Sequence, residues 1–432
     1  MSLDNDLDEW EIEDIRLRRL DWARIKLNGT YATLDHQLFD GPIYLSRATV
    51  EEVDRQVGRL ETCLRTIDAS KLSSFDYAVL IDIEDNVKRL GASMNYFYHN
   101  EVNWKVSNFL YKVYGERIFG RLINMLRQES QSKRLHEYSL REHVRRIRQF
   151  DTDFEFIRER LQHRIEDYKK LFAAFCIDTG ILSKPLEYKA LLSPPSQNYN
   201  FWDDYHKIAA IDPNALDENK ITPFAFLAFV HECGGHALNS HFSKNMPRGL
   251  RLSLEGYLPH IQGVLSEGTA LQAENASIEW IKKNKFKFDS FAGDLETLAE
   301  STDIYVGIKL WQVVYDLLVL HEMENEDNKY YHLNAKKKFA EITGVPRFYR
   351  DYFIIDDRSV RDTLHDLQYI IGRTQTNRII KKMKKKINFK SKRNRIAGFA
   401  MLQHGFWTSP RAKEMFITGP LLEQMMKGGK II

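Results

Sequence analysis

From Ala48 to about Ile177 the apolar positions recur at helical spacing. In VEEVDRQVGRLETCLRTI, Val53, Val57, Leu60 and Leu64 fall at steps of three or four, which puts them on one helix face. LREHVRRIRQFDTDFEFIRERLQHRIEDYKKLF continues as a long charged helix with a solvated polar face. The periodicity stops at Gly180. From Leu182 to Pro213 the chain carries Pro185, Pro194, Pro195 and Pro213 among the aromatics Tyr188, Tyr199, Phe201, Trp202 and Tyr205, which predicts loops and short strands. ITPFAFLAFVHECGGHALNSHF then opens a strongly apolar helix, with Thr222 as N-cap and Pro223 as its first residue. Further helices are predicted around Glu267, from about Asp294 to Glu322, and from Ser359 to about Lys386. These elements predict a mainly α fold with a small β element beside a cleft. They divide into an amino-terminal helical region over 1–180 and a second region over 181–432, as two units or as one continuous domain.

The chain has 432 residues, 43% hydrophobic and 28% charged, the balance of a soluble globular protein with a sizeable core. Its 63 Lys and Arg against 60 Asp and Glu leave a net charge of +3, which does not suit a chain built as a whole for nucleic acid. The first ten residues, MSLDNDLDEW, lack the basic start and apolar run of a secretory leader. No uninterrupted apolar stretch approaches the ~18 residues of a transmembrane helix. Cys63, Cys176 and Cys233 are widely spaced and odd in number, which suits a reduced compartment. A cytoplasmic protein is expected.

The chemistry concentrates in His231-Glu232-Cys233-Gly234-Gly235-His236. Zinc peptidases carry H-E-x-x-H on one helix, where four residues turn through about 400° and the two histidines share a face. Here the histidines are five apart, and on a regular helix they would diverge by about 140°. A one-residue bulge would restore them to one face, and Gly234 and Gly235 sit where that distortion must occur. Two neutral imidazoles suit zinc, and a catalytic zinc site uses three protein ligands and leaves a position for water. Glu232 is placed to take a proton from that water and pass it to a leaving amine. The apolar lead-in AFLAFV makes a buried Glu232 costly unless such a site compensates it. Cys233 reads as packing filler.

The third ligand is expected on a downstream helix. VLSEGTALQAENASIEW offers Glu267 and Glu274, seven apart and so on one face. Glu267 is taken as the ligand, with one zinc per chain. Glu274 either orients a ligating histidine or joins an ordinary helix salt bridge. His241 competes for the metal but points away from His236 on a regular helix.

His231-Glu232 and His236, with Ser266-Glu267-Gly268-Thr269-Ala270 about thirty residues on, resemble the QEGLA-motif family, which includes the microtubule-associated tyrosine carboxypeptidases. A third stretch, His365-Asp366-Leu367-Gln368-Tyr369-Ile370-Ile371-Gly372, follows the pair Tyr349-Arg350 and is similar to that family's K-D-x-x-Y-L-x-G segment, with His365 in place of lysine. EGTALQAE, from Glu267 to Glu274, also resembles the E-G-W-A-L-Y-A-E element of helical gluzincins similar to the thermostable carboxypeptidases. The likeness spans roughly Phe224 to Arg373. It implies a mainly helical gluzincin-type fold with a deep cleft, Glu267 as third ligand, and carboxypeptidase action on a protein or peptide C-terminus. Tyr369, with His365 as backup, is then the candidate donor to the developing oxyanion. Arg350, Arg358 and Arg373 are candidates for holding the terminal carboxylate.

Two rivals stay open: a zinc oligopeptidase or endopeptidase with the same centre, and a non-catalytic helical binding protein with a degenerate metal site. Leu186 to Tyr199 offers a short strand that could align an extended substrate by backbone hydrogen bonds, limited in length by Pro194 and Pro195. KKMKKKINFKSKRNR, residues 381–395, is either a solvated helix end or a docking patch for an acidic protein tail, an anionic membrane face or nucleic acid. Phe389 is its only aromatic, which makes nucleic acid the weakest of these.

Overall fold

The computed structural model describes Ala23 and residues 47–97, 105–114, 118–129, 154–194, 200–203, 206–213, 216–217, 219–242, 264–289, 295–324, 330–344, 360–387, 398–399, 401–403, 407 and 409–421. The periodic amino-terminal stretch forms α1 (Arg47–Arg65), α2 (Ser74–Phe97), α3 (Val106–Tyr114), α4 (Ile118–Glu129) and α5 (Phe154–Thr179). On α1 the expected face is the inward one: Val53, Leu60 and Leu64 are buried, and Val57 packs partly buried against the same cluster. Gly180 ends α5 at φ 77°, a left-handed conformation that glycine adopts without steric cost. The part of the charged stretch before residue 154 lies outside the described residues.

β1 (Lys189–Leu192), β2 (Phe201–Asp203) and β3 (Ile208–Ile211) form a three-stranded sheet in the order β1-β3-β2. β1 runs parallel to β3, with Lys189 opposite Ile208, and β2 runs antiparallel to it, with Phe201 opposite Ala210. The strand expected between 186 and 199 is β1, but its outer edge is taken. Gln162 on α5 donates from Nε2 to the Ala190 carbonyl at 3.1 Å and accepts from the Leu192 amide at 3.2 Å. These are the backbone groups that a substrate strand would need, so β1 does not offer a substrate-aligning edge at Ala190–Leu192. The opposite edge, β2, lies against the segment His231–Ala237.

α6 (Pro223–Val230) begins as expected, with the Thr222 hydroxyl accepting from the Ala225 amide at 3.2 Å and Pro223 in the first turn. Beyond it lie α7 (Leu238–Phe242), α8 (Val264–Lys283), α9 (Leu295–Met323), α10 (Tyr331–Thr343), α11 (Val360–Lys386) and α12 (Pro410–Phe416). The helices predicted around Glu267, Asp294–Glu322 and Ser359–Lys386 are α8, α9 and α11. Among the described residues no helix is long and apolar enough to cross a membrane.

Buried apolar side chains form two clusters. One joins α1–α4 to α9–α12, through residues such as Leu60, Phe109, Trp311 and Leu367. The other joins α5, the sheet and α6, through Phe175, Ile211, Phe226 and Phe229. Each draws residues from both sides of position 180. α8 belongs to both, giving Leu265 and Leu271 to the first and Ala273, Ile278 and Ile281 to the second. Trp280 on α8 meets Phe175 edge-on at 5.9 Å and Phe226 at 5.6 Å. Burying one such ring contributes about 1.5–3 kcal/mol.

α8 and α11 cross in near backbone contact. A Cβ on Gly268 would stand 2.3 Å from the Gly372 carbonyl oxygen, and one on Gly372 would stand 2.0 Å from the Val264 carbonyl oxygen. Only glycines permit this approach.

Candidate metal centre

α6 does not stop at Val230. It passes into a π-helical turn, His231–Ala237, and resumes as α7. In a π turn the hydrogen bonds run from residue i to i+5, so residues five apart become turn neighbours. This is the bulge that the five-residue spacing of the histidines requires. The rings of His231 and His236 lie 5.4 Å apart, and every residue from His231 to Ala237 is buried. The glycines have a steric role besides their flexibility: a Cβ on Gly235 would stand 2.3 Å from the Ala270 Cβ of α8. That close approach brings the histidines to the Glu267 side chain. Widening of the helix is met from far along the chain, where Gln403 donates from Nε2 to the Gly234 carbonyl at 2.9 Å.

His231, His236 and Glu267 offer donor atoms that all lie within 4.8 Å of one another. His231 Nε2 stands 3.0 Å from one Glu267 oxygen, and His236 Nε2 stands 3.8 Å from the other. The opposite ring nitrogens are engaged elsewhere. His231 Nδ1 lies 2.6 Å from Glu274 Oε1, and His236 Nδ1 lies 2.7 Å from Ser266 Oγ. A carboxylate only accepts, so His231 carries a proton on Nδ1 in this contact. Both rings are therefore fixed with Nε2 toward Glu267, the orientation that metal-ligating histidines adopt when an outer partner holds the second nitrogen. The donor set fits a metal ion on these grounds. Glu232 is 5% exposed and its Oε2 lies 4.0 Å from His236 Nε2.

The electrostatics favour positive charge at this point. Burial opposes charging of His231, but hydrogen bonds to Glu267 and Glu274 outweigh it and hold the imidazole pKa well above its ordinary value. Burial likewise opposes ionisation of Glu267, yet the His231 contact and the charges of His236, His231 and His365 hold its carboxyl at about 2.

Tyr369 on α11 stacks on His231 at 5.9 Å between ring centroids. Burial raises its phenol pKa well above the usual range, reinforced by the Glu267 charge, so the hydroxyl stays protonated and able to donate. His365 meets the Tyr369 ring at 5.6 Å and is half-exposed. Arg373 forms an ion pair with Asp303 on α9. Arg350 and Arg358 lie outside the described residues, as does the basic run beyond Ile387. Cys233 is a buried free cysteine, and burial holds its thiol pKa well above the ordinary value, as expected of a packing residue. His241 is not part of the three-residue donor cluster.

Four neighbours escaped the sequence reading. Ser266 adjoins Glu267 in the first turn of α8, where adjacency was the available signal. Tyr305 and Lys309 are one helical turn apart on α9. The Tyr305 ring meets Tyr369 edge-on at 5.4 Å, while Lys309 Nζ lies over both rings, at 5.4 and 5.5 Å, and donates to Asp366 at 2.5 Å. Gln403 carried no local signal at all. Comparison of the chain with protein-family models, curated proteins and solved structures returns no match in any of the three.

Proposed function

We propose that the chain is a single-zinc peptidase, with His231, His236 and Glu267 as ligands and Glu232 as general base. The observation that carries this reading is the buried Glu232 carboxylate beside a donor set of two histidines and one glutamate. That set is one used by catalytic zinc with three protein ligands, whereas a structural site closes its fourth position with cysteine or histidine and needs no such carboxylate. When bound, zinc supplies Lewis acidity that activates water and polarises a scissile carbonyl. Glu232 takes a proton from the attacking water and delivers it to the departing amine nitrogen. Tyr369 donates from its hydroxyl to the oxygen on which negative charge develops. Glu274 and Ser266 hold the imidazoles in the ligating orientation.

Preference for a C-terminus rests on the motif resemblance. Arg350, Arg358 and Arg373 are the candidates for the terminal carboxylate, and Arg373 would have to exchange Asp303 for the substrate. A cytoplasmic setting and an acidic partner for the basic run belong to the same proposal.

Elemental analysis of the parent and of His236→Ala tests the centre, with about one zinc per chain expected in the parent and none in the variant. Mass spectrometry of a peptide mixture tests the activity. Loss of single C-terminal residues supports a carboxypeptidase, and internal cuts support an endopeptidase. Glu232→Gln should keep the metal and lose about 10²–10⁴-fold in rate. A parent that takes up no metal after zinc reconstitution overturns the proposal.

A further inference from the structure

Away from the metal centre, a cavity of about 660 Å³ opens between α2, α3, α11 and α12. Most ligand pockets are lined chiefly by apolar side chains. Among the described residues that line this one, Val113 and Pro410 are aliphatic, Tyr114 is aromatic and the rest are polar or charged. Among the described residues, five cationic side chains face it: Lys88, Arg89, Lys112, Arg378 and Arg411. The two carboxylates that line it among the described residues are already engaged. Asp85 accepts from the Ser409 hydroxyl at 2.5 Å, and Glu414 is paired with Lys382 and, at 3.5 Å, with Arg378. Among the described residues, no carboxylate pairs with Lys88, Lys112 or Arg411.

Arg89 is 6% exposed, and its Nε donates to the Val113 carbonyl at 3.0 Å, which fixes the guanidinium inside the cavity. Gln375 is a second buried lining residue, whereas Lys88, Lys112, Arg378 and Arg411 are exposed. Burial lifts the Tyr114 phenol pKa above its usual value against the pull of Arg89, so this lining hydroxyl is a donor. A fixed arginine within a ring of lysines and arginines, from four different helices, is the arrangement that recognises a compact polyanion. We propose that this cavity binds a small ligand, or a lipid headgroup, that bears two or more phosphate groups. The site is independent of the zinc-peptidase reading.

Calorimetric titration of the purified full-length chain with inorganic tripolyphosphate tests this. One site per chain is expected, with affinity that falls as salt is raised. Lys88→Ala/Lys112→Ala should weaken binding by about tenfold or more, as should Arg411→Ala on a different helix. All three positions are exposed, and the melting temperature without ligand checks that each variant folds. Lys384→Ala/Lys385→Ala, at the basic end of α11, should leave the affinity unchanged. No binding by the parent, or affinity kept in the cavity variants and lost in Lys384→Ala/Lys385→Ala, overturns the proposal.

Sedimentation with phosphatidylcholine vesicles containing a bisphosphorylated inositol lipid separates the two sources. Vesicle binding that the cavity variants abolish assigns the phosphates to a headgroup. Tripolyphosphate binding with no vesicle binding assigns them to a free ligand. Vesicle binding that survives in the cavity variants, with no tripolyphosphate site, overturns the proposal.

Discussion

Glu274 and His231, 43 residues apart in sequence, meet at 2.6 Å between Oε1 and Nδ1. Glu274 lies two helical turns from Glu267, so α8 presents one carboxylate to each ring nitrogen of a single imidazole. Glu274→Gln should weaken metal binding by about 10–100-fold, the usual cost of losing a partner that orients a ligating histidine. Competition against a chelator of known zinc affinity measures this. Unchanged affinity would reduce Glu274 to an ordinary buried polar residue.

The crossing of α8 and α11 yields a matched pair of glycine substitutions. Gly372→Ala places a methyl group 2.0 Å from the Val264 carbonyl oxygen, so the two helices must separate. A destabilisation of about 3 kcal/mol or more is expected in denaturant unfolding. Gly91, within α2, has open space where a Cβ would stand, with nothing within 4 Å, and Gly91→Ala should stabilise by about 0.5–1 kcal/mol through helix propensity. Equal effects from the two changes would contradict the close approach.

Gln403 is fully buried and donates to the Gly234 carbonyl. Gln403→Leu leaves that carbonyl without this donor, at a cost of about 1–3 kcal/mol. Because the carbonyl belongs to the turn between the two histidines, zinc affinity should fall along with stability. A loss of stability with affinity intact would separate Gln403 from the π turn.

Lys338 hydrogen-bonds to Glu322 and holds its carboxyl pKa below the ordinary 4.5, with burial opposing. A carboxyl depressed in the folded state contributes stability above its unfolded pKa and loses it as pH falls through the folded one. The stability advantage of the parent over Glu322→Gln should therefore be present at neutral pH and shrink below about pH 4.5. Chemical denaturation at several pH values checks this, and an advantage that grows on acidification would reverse the sign.

The parts of this chain that could be read locally were those set by adjacent residues. Thr222-Pro223 starts α6, Gly180 ends α5, and two histidines five apart with glycines between them imply a bulge. The Glu267 and Glu274 spacing was equally readable, and so was the buried stripe on α1. The rest depends on residues far apart in sequence. Gln162 seals the edge of β1 from a helix about thirty residues earlier. Arg373 meets Asp303 across 70 residues, and Gln403 reaches Gly234 across 169. Nothing in the local pattern of hydrophobic and polar positions encodes such pairings, which arise only when packed helices bring them together.

α8 is shared between two hydrophobic cores and carries Ser266, Glu267 and Glu274 on the way from one to the other. An ion that clamped Glu267 to His231 and His236 would act as a rivet between these two cores. Binding of such an ion to the folded chain alone would stabilise it by RT ln(1 + r), where r is free metal concentration over dissociation constant. Damage to either core severe enough to leave the metal-free chain largely unfolded would be read out as a weaker apparent affinity for the ion.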